Sequence, residues 1–242
     1  MSLKLRLIVM NFLQFYVWGA WLITIGRYWF ETRHWSGTSF GAIFSTMGIS
    51  ALFMPSLMGI VADRWINAER LYGVLHILGA VCLCLLPQAG DPHAFFWLIL
   101  ATMLCYMPTI SLAITVAYNA LKENGLDVVR DYPPIRVWGT IGFIAAMWTT
   151  SLLGLETSPG QFYVAAAAAV ALGVYAFSLP RCPPRMTRTD SRSLLDVLGL
   201  TSFRLLRDRN MAVFFFFAML LGAALQLTNA YGGTFLGEFG TQ

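Results

Sequence analysis

Asn11, Gln14, Trp18 and Trp21 recur at offsets of 0, 3, 7 and 10 in one apolar stretch, which sets them on one face of a helix. Arg136, Thr140, Phe143 and Met147 share a face at offsets of 0, 4, 7 and 11, and Gln226 and Asn229 stand three apart, between Gly222 and Gly232-Gly233. Amides, a guanidinium and aromatic rings on cavity-facing stripes suit a neutral, hydrogen-bonding, ring-shaped solute: the rings stack and the polar groups bond its edges. The same amides also serve as glue between helices in lipid, and both readings stand for Asn11, Gln14, Gln226 and Asn229. Bond-breaking chemistry is not indicated. No Ser–His, Asp–Asp or His-rich metal pair occurs at helical spacing within the apolar runs. His34, His76 and His93 are too scattered to hold a metal, and Cys82, Cys84, Cys105 and Cys182 form no CxxC pair. Neither metal nor cofactor is expected, and the chain does not read as an enzyme.

Titratable groups are as informative by their placement. No Asp or Glu lies in the middle of an apolar run. His76, one turn after Tyr72, is the mid-span titratable candidate, and its alternative is a packed, neutral histidine; with Gln14 and Trp18 it is a candidate cavity residue. Arg136 follows Pro133-Pro134. If the helix begins there, Arg136 is a first-turn residue snorkelling to the interface; if the helix begins near Asp127, Arg136 lies deeper and faces a cavity. Gly59-Ile60-Val61-Ala62-Asp63-Arg64, with Arg70 beyond it, reads as a loop between two spans, and Gly59, Asp63 and Arg64 form a candidate conformational latch. Gly41, Ser45 and Gly48 make one small-residue stripe, and Gly139, Gly142 and Ala146 another, both suited to close helix packing.

The elements that must position these groups are membrane helices. The 242-residue chain is 57% hydrophobic and 12% charged, against about 25% charged for soluble domains; its mean hydropathy is +0.65. Seven spans are predicted: Leu7–Ile25, Phe40–Ala62, Leu71–Leu86, Ala94–Tyr118, Ile135–Leu153, Phe162–Leu179 and Met211–Phe235. The first is too long, with Trp18 and Trp21 in it, for a cleaved signal sequence. With the N-terminus cytoplasmic, fourteen of the sixteen Lys and Arg residues fall inside, leaving Arg27 and Arg33 outside. The net charge of +4 therefore sets topology; it does not mark a nucleic-acid surface. The expected organisation is a six-helix bundle over residues 1–180, a basic cytoplasmic linker over 181–210, and over 211–242 the first helix of a second bundle. An odd seventh helix lacks a partner for its polar face, so the chain is expected to be truncated, inserted in the membrane and not competent in transport by itself.

These residues resemble the nucleoside:proton symporter family of bacterial permeases, within the major facilitator superfamily. The resemblance rests on Phe12-Leu13-Gln14-Phe15 with Trp18-Gly19-Ala20-Trp21-Leu22, on Gly59 to Arg64, and on Tyr106-Met107-Pro108-Thr109. It continues in Pro133-Pro134-Ile135-Arg136-Val137-Trp138-Gly139-Thr140-Ile141-Gly142-Phe143, then in Leu220-Leu221-Gly222-Ala223 and Leu225-Gln226-Leu227-Thr228-Asn229. It implies an all-α polytopic fold, the N-terminal six-helix bundle of a major facilitator plus transmembrane helix 7. It also implies import of nucleosides such as uridine or adenosine with protons across the bacterial inner membrane. The substrate contacts it implies are Arg136, Thr140, Phe143, Gln226 and Asn229, the amides facing Arg136 across a cavity, with the coupling carboxylate beyond residue 242. The sequence departs from the family at Tyr231-Gly232-Gly233, where Phe-Gly-Asn is usual, and at Arg27, where a small polar residue is usual. Another superfamily carrier, for a sugar for instance, and a half-size membrane protein acting as an oligomer are the alternatives.

Overall fold

The computed structural model describes residues 2–184 and 200–238. Among them the chain forms seven long helices: α1 (Leu3–Gly19), α2 (Gly37–Arg64), α3 (Ala68–Leu85), α4 (Pro92–Glu123), α5 (Val128–Leu152), α6 (Gly160–Ala176) and α7 (Arg209–Glu238). Each predicted span falls on one of them. By length and apolarity the helical stretches Gly37–Arg64, Ala68–Gln88, Pro92–Glu123 and Arg209–Gly232 are sufficient to cross a bilayer; Gly160–Ala176 is apolar but shorter. Half of the predicted basic linker, residues 185–199 with Arg185, Arg188 and Arg192, lies outside the described residues, as do the last residues of the predicted 211–242 segment.

Capping explains several helix starts. Ser2 accepts from the Leu5 amide, and Asp91 accepts from the His93 and Ala94 amides with Pro92 in the first turn. Three sequence expectations are corrected. The first span is not one regular helix to Ile25: α1 stops at Gly19, and the chain continues through a short turn at Ile25–Arg27 and a π-helical turn over Tyr28–Thr32. Gly19 lies flat against the backbone of Phe143, where an added Cβ would sit 2.5 Å from the carbonyl oxygen. The fifth helix does not begin at Ile135. Asp127 caps it by accepting from the Val129 amide at 2.9 Å, so it runs through Pro133 and Pro134. The Gly59–Arg64 motif is not a loop but the last turns of α2, ending at Arg64, where the helix dipole favours a cation.

The helix pairs carry an internal repeat. α1 packs along α5, α2 along α4, α3 along α6 and α4, and α1 also touches α6. Exchanging α1 with α4, α2 with α5 and α3 with α6 turns the α1–α5 pair into α4–α2 and α1–α6 into α4–α3, and returns α3–α6 to itself. Successive helices alternate in direction, so these are two three-helix units of inverted topology. Glycine sets the closest approaches: a Cβ on Gly142 would collide with the carbonyl oxygen of Phe12, and one on Gly73 would lie 2.8 Å from the carbonyl oxygen of Gly173. The stripe on α2 behaves differently, with nothing within 4 Å of a Cβ on Gly48 and only the Tyr231 hydroxyl, at 3.9 Å, near one on Gly41.

Polar bonds close both ends of the bundle. At one end Lys4 bonds Asp131 at 2.7 Å, which holds that carboxyl below its ordinary range. At the other, Arg27 pairs with Glu31 and Glu156, and Thr24 donates to Gln161 at 2.8 Å. The Glu31 hydrogen bond is the main reason Arg27 titrates above the ordinary arginine value. α7 touches this end beside Ile25–Arg27 and through an edge-to-face contact of Tyr231 with Phe40, 5.4 Å between centroids, while Phe214 to Phe217 stay exposed.

Candidate functional site

The early start of α5 puts Arg136 two turns into the helix. Its guanidinium lies over the Phe15 ring of α1, 4.0 Å from the centroid. Among the described residues no carboxylate pairs with it. Arg136 is half-buried, Thr140 is exposed, and Phe143 is half-buried against the aromatic core. From Phe15 the aromatic wall runs on to Trp18, 6.4 Å away, and then to Tyr106 of α4, a further 5.5 Å. The Trp18 indole N–H is buried without an acceptor among the described residues.

Gln14 and His76, both candidate cavity residues, are buried and bonded to one another. Gln14 is wholly buried, and both its amide oxygen and its amide nitrogen are bonded. It accepts from the Tyr72 hydroxyl at 2.6 Å, bonds His76 Nε2 at 2.9 Å through the same oxygen, and donates to the Thr109 hydroxyl at 2.9 Å. The Tyr106 hydroxyl donates to the Gln14 carbonyl at 2.7 Å. The cluster thus ties α1 to α3 and α4. His76 borders a void of about 10 Å³ with Thr102 and Tyr106, roughly the room one water needs. Gln14→Leu leaves the Tyr72 hydroxyl and His76 Nε2 without their acceptor. Buried bonds between membrane helices average about 0.6 kcal/mol and reach about 1.7, so a loss of about 2 kcal/mol is expected, to be read as a lower unfolding midpoint of the protein in detergent.

On α7, Gln226 Nε2 lies 3.9 Å from the Met47 sulfur of α2, and Asn229 is half-buried beside the buried Ala230. Among the described residues no hydrogen bond or ion pair joins either amide to Arg136. Asp63 lies in a separate cavity of about 280 Å³ with Tyr118, Asn119 and Lys122, while nothing approaches a Cβ on Gly59. Phe15 was not among the candidate residues. Its offset of four from Asn11 places it on the same face as Trp18, a signal that was present in the spacing.

The whole chain, residues 1–242, matches the nucleoside H+ symporter family. The chain belongs to that family. Its similarity to the nucleoside permease NupG of Escherichia coli K12 is 47% identity over 239 residues, 99% of this chain and 57% of that protein. To the xanthosine permease of the same organism the identity is 46%, with the same coverage. A crystal structure of a NupG mutant superposes with a TM-score of 0.90 at 46% identity, covering 100% of this chain and 60% of that one. The fold is therefore that of a nucleoside H+ symporter, and the chain is a membrane protein. It spans a little over half the length of these relatives.

Proposed function

We propose that this chain forms part of a proton-coupled nucleoside carrier of the bacterial inner membrane, working by alternating access. Residues 1–180 serve as one bundle and 211–242 as the first helix of the other, joined by the cytoplasmic linker 181–210, with the N-terminus cytoplasmic. Arg136, Thr140, Phe143, Gln226 and Asn229 contact the nucleoside, with Trp18 on the same wall. Gly59, Asp63 and Arg64 act as the latch. The observation that carries this reading is the Arg136 guanidinium, half-buried in a membrane helix bundle and held on an aromatic ring with no carboxylate paired to it among the described residues. An arginine so placed keeps its N–H donors available for a ligand's oxygens and nitrogens, and Phe143 supplies an apolar face for a base or ribose.

The test is a chimera in which residues 1–242 replace the matching stretch of NupG, expressed in a bacterium lacking nucleoside carriers. Radiolabelled uridine should accumulate well above the vector control, and a protonophore should collapse it. A chimera that reaches the membrane yet takes up no nucleoside would sink the proposal; uptake indifferent to the protonophore would remove the proton from it.

A further inference from the structure

A lone guanidinium in a membrane helix bundle needs something to hold it, and carboxylates usually do so. Here the partner is a ring: Arg136 lies 4.0 Å over Phe15, contributed by a different helix. Stacking satisfies the charge through the face of the guanidinium and leaves its in-plane N–H groups unused, whereas a carboxylate would occupy them. The meeting place is built by a third residue. A Cβ on Gly139 would lie 2.6 Å from Phe15 Cδ2 and 2.7 Å from Arg136 Nη1. Gly139 thus clears the volume in which ring and guanidinium come together. One turn further, Gly142 sits against the Phe12 backbone and fixes the distance between α1 and α5. On the other side Phe15 continues into Trp18, and the Gln14 carbonyl beside it accepts from Tyr106, so the platform is anchored to α4.

We propose that Phe15 is the positioning residue for Arg136, its ring holding the guanidinium by stacking in the space cleared by Gly139 so that the N–H edge stays free for the transported solute. This rests on the reading of Arg136 as a nucleoside contact. Phe15→Leu removes the π face and keeps an apolar side chain. Gly139→Ala displaces the two side chains at the point of contact; unlike the backbone that faces Gly142, side-chain ends can move aside, so the bundle survives.

Uridine uptake by the chimera carrying the full chain tests it. A half-buried cation–π contact falls between the exposed and the desolvated case, roughly tenfold in binding. Phe15→Leu should therefore raise KM about tenfold or more with the maximal rate kept within about twofold. Gly139→Ala should shift KM the same way, and Phe15→Tyr, which restores the ring, should return KM close to the parent's. Arg136→Ala runs alongside. If it is inactive while Phe15→Leu keeps the parental KM, the positioning role is overturned and the site reading survives. A Phe15→Tyr variant no better than Phe15→Leu overturns the stacking as well. Normal uptake by Arg136→Ala overturns both. Should Phe15→Leu fail to reach the membrane, Gly139→Ala and Phe15→Met decide by the same KM criterion.

Discussion

Arg136→Ala, made in the NupG chimera, is expected to abolish uridine uptake while leaving the amount of protein in the membrane unchanged. The guanidinium lies on Phe15 and forms no ion pair among the described residues, so its removal breaks no salt bridge that holds the bundle. What is lost, on the proposed reading, is a fork of donors aimed at the solute. A hydrogen bond to a charged group contributes about 1.5–3 kcal/mol, and two lost together lower uptake by at least about a hundredfold. Lysine should recover a minor part, because it keeps the charge but has neither the planar fork nor the stacking face. Gln226→Ala should also suppress uptake. Initial rates of labelled uridine uptake, normalised to immunodetected membrane protein, provide the measurement. Parental rates in both alanine variants would refute the site assignment.

Gly142→Ala should destabilise the bundle by about 3 kcal/mol, through overpacking against an immovable neighbour. A Cβ there runs into the carbonyl oxygen, carbonyl carbon and Cα of Phe12, and backbone cannot rotate aside as a side-chain end can. Relief requires α1 and α5 to separate along one of the principal helix contacts of the fold. Gly48→Ala is the matched control: it too replaces a glycine inside a helix, but nothing lies within 4 Å of the new atom. It should stabilise slightly, by no more than about 1 kcal/mol. Denaturant unfolding of both variants in detergent reads the difference, and equal behaviour would show that the α1–α5 contact is looser than the glycine geometry implies.

The two small-residue stripes show how sequence and structure divide the information. Gly139 and Gly142 are as regularly spaced as Gly41 and Gly48, and spacing alone treats them as equivalent packing surfaces. Only the fold separates them, because a stripe becomes a contact when another helix lies on it, and which helix does so is a matter of long-range topology. The start of α5 was ambiguous for a local reason. A proline pair fits both the first turn of a helix and an interior position close to its start; the Asp127 cap decided for the longer helix and buried Arg136 deeper.

The apolar runs by themselves determined seven helices and the all-α membrane class, because lipid leaves a chain of such runs few other ways to satisfy its backbone. The motif strings that carry the family resemblance are likewise local. The chain order also placed Arg136, Thr140 and Phe143 on one face, since a helical period needs no neighbour to be read. Tertiary structure alone decided what those faces meet. Gln14 bonds Tyr72 and His76 across 58 and 62 residues, and Phe15 carries an arginine 121 positions away. Such pairings leave no periodic trace, because they depend on how whole helices are set against one another. For the same reason the bonds from Tyr72 and His76 to Gln14 and the platform beneath Arg136 became visible only once α1, α3, α4 and α5 were assembled.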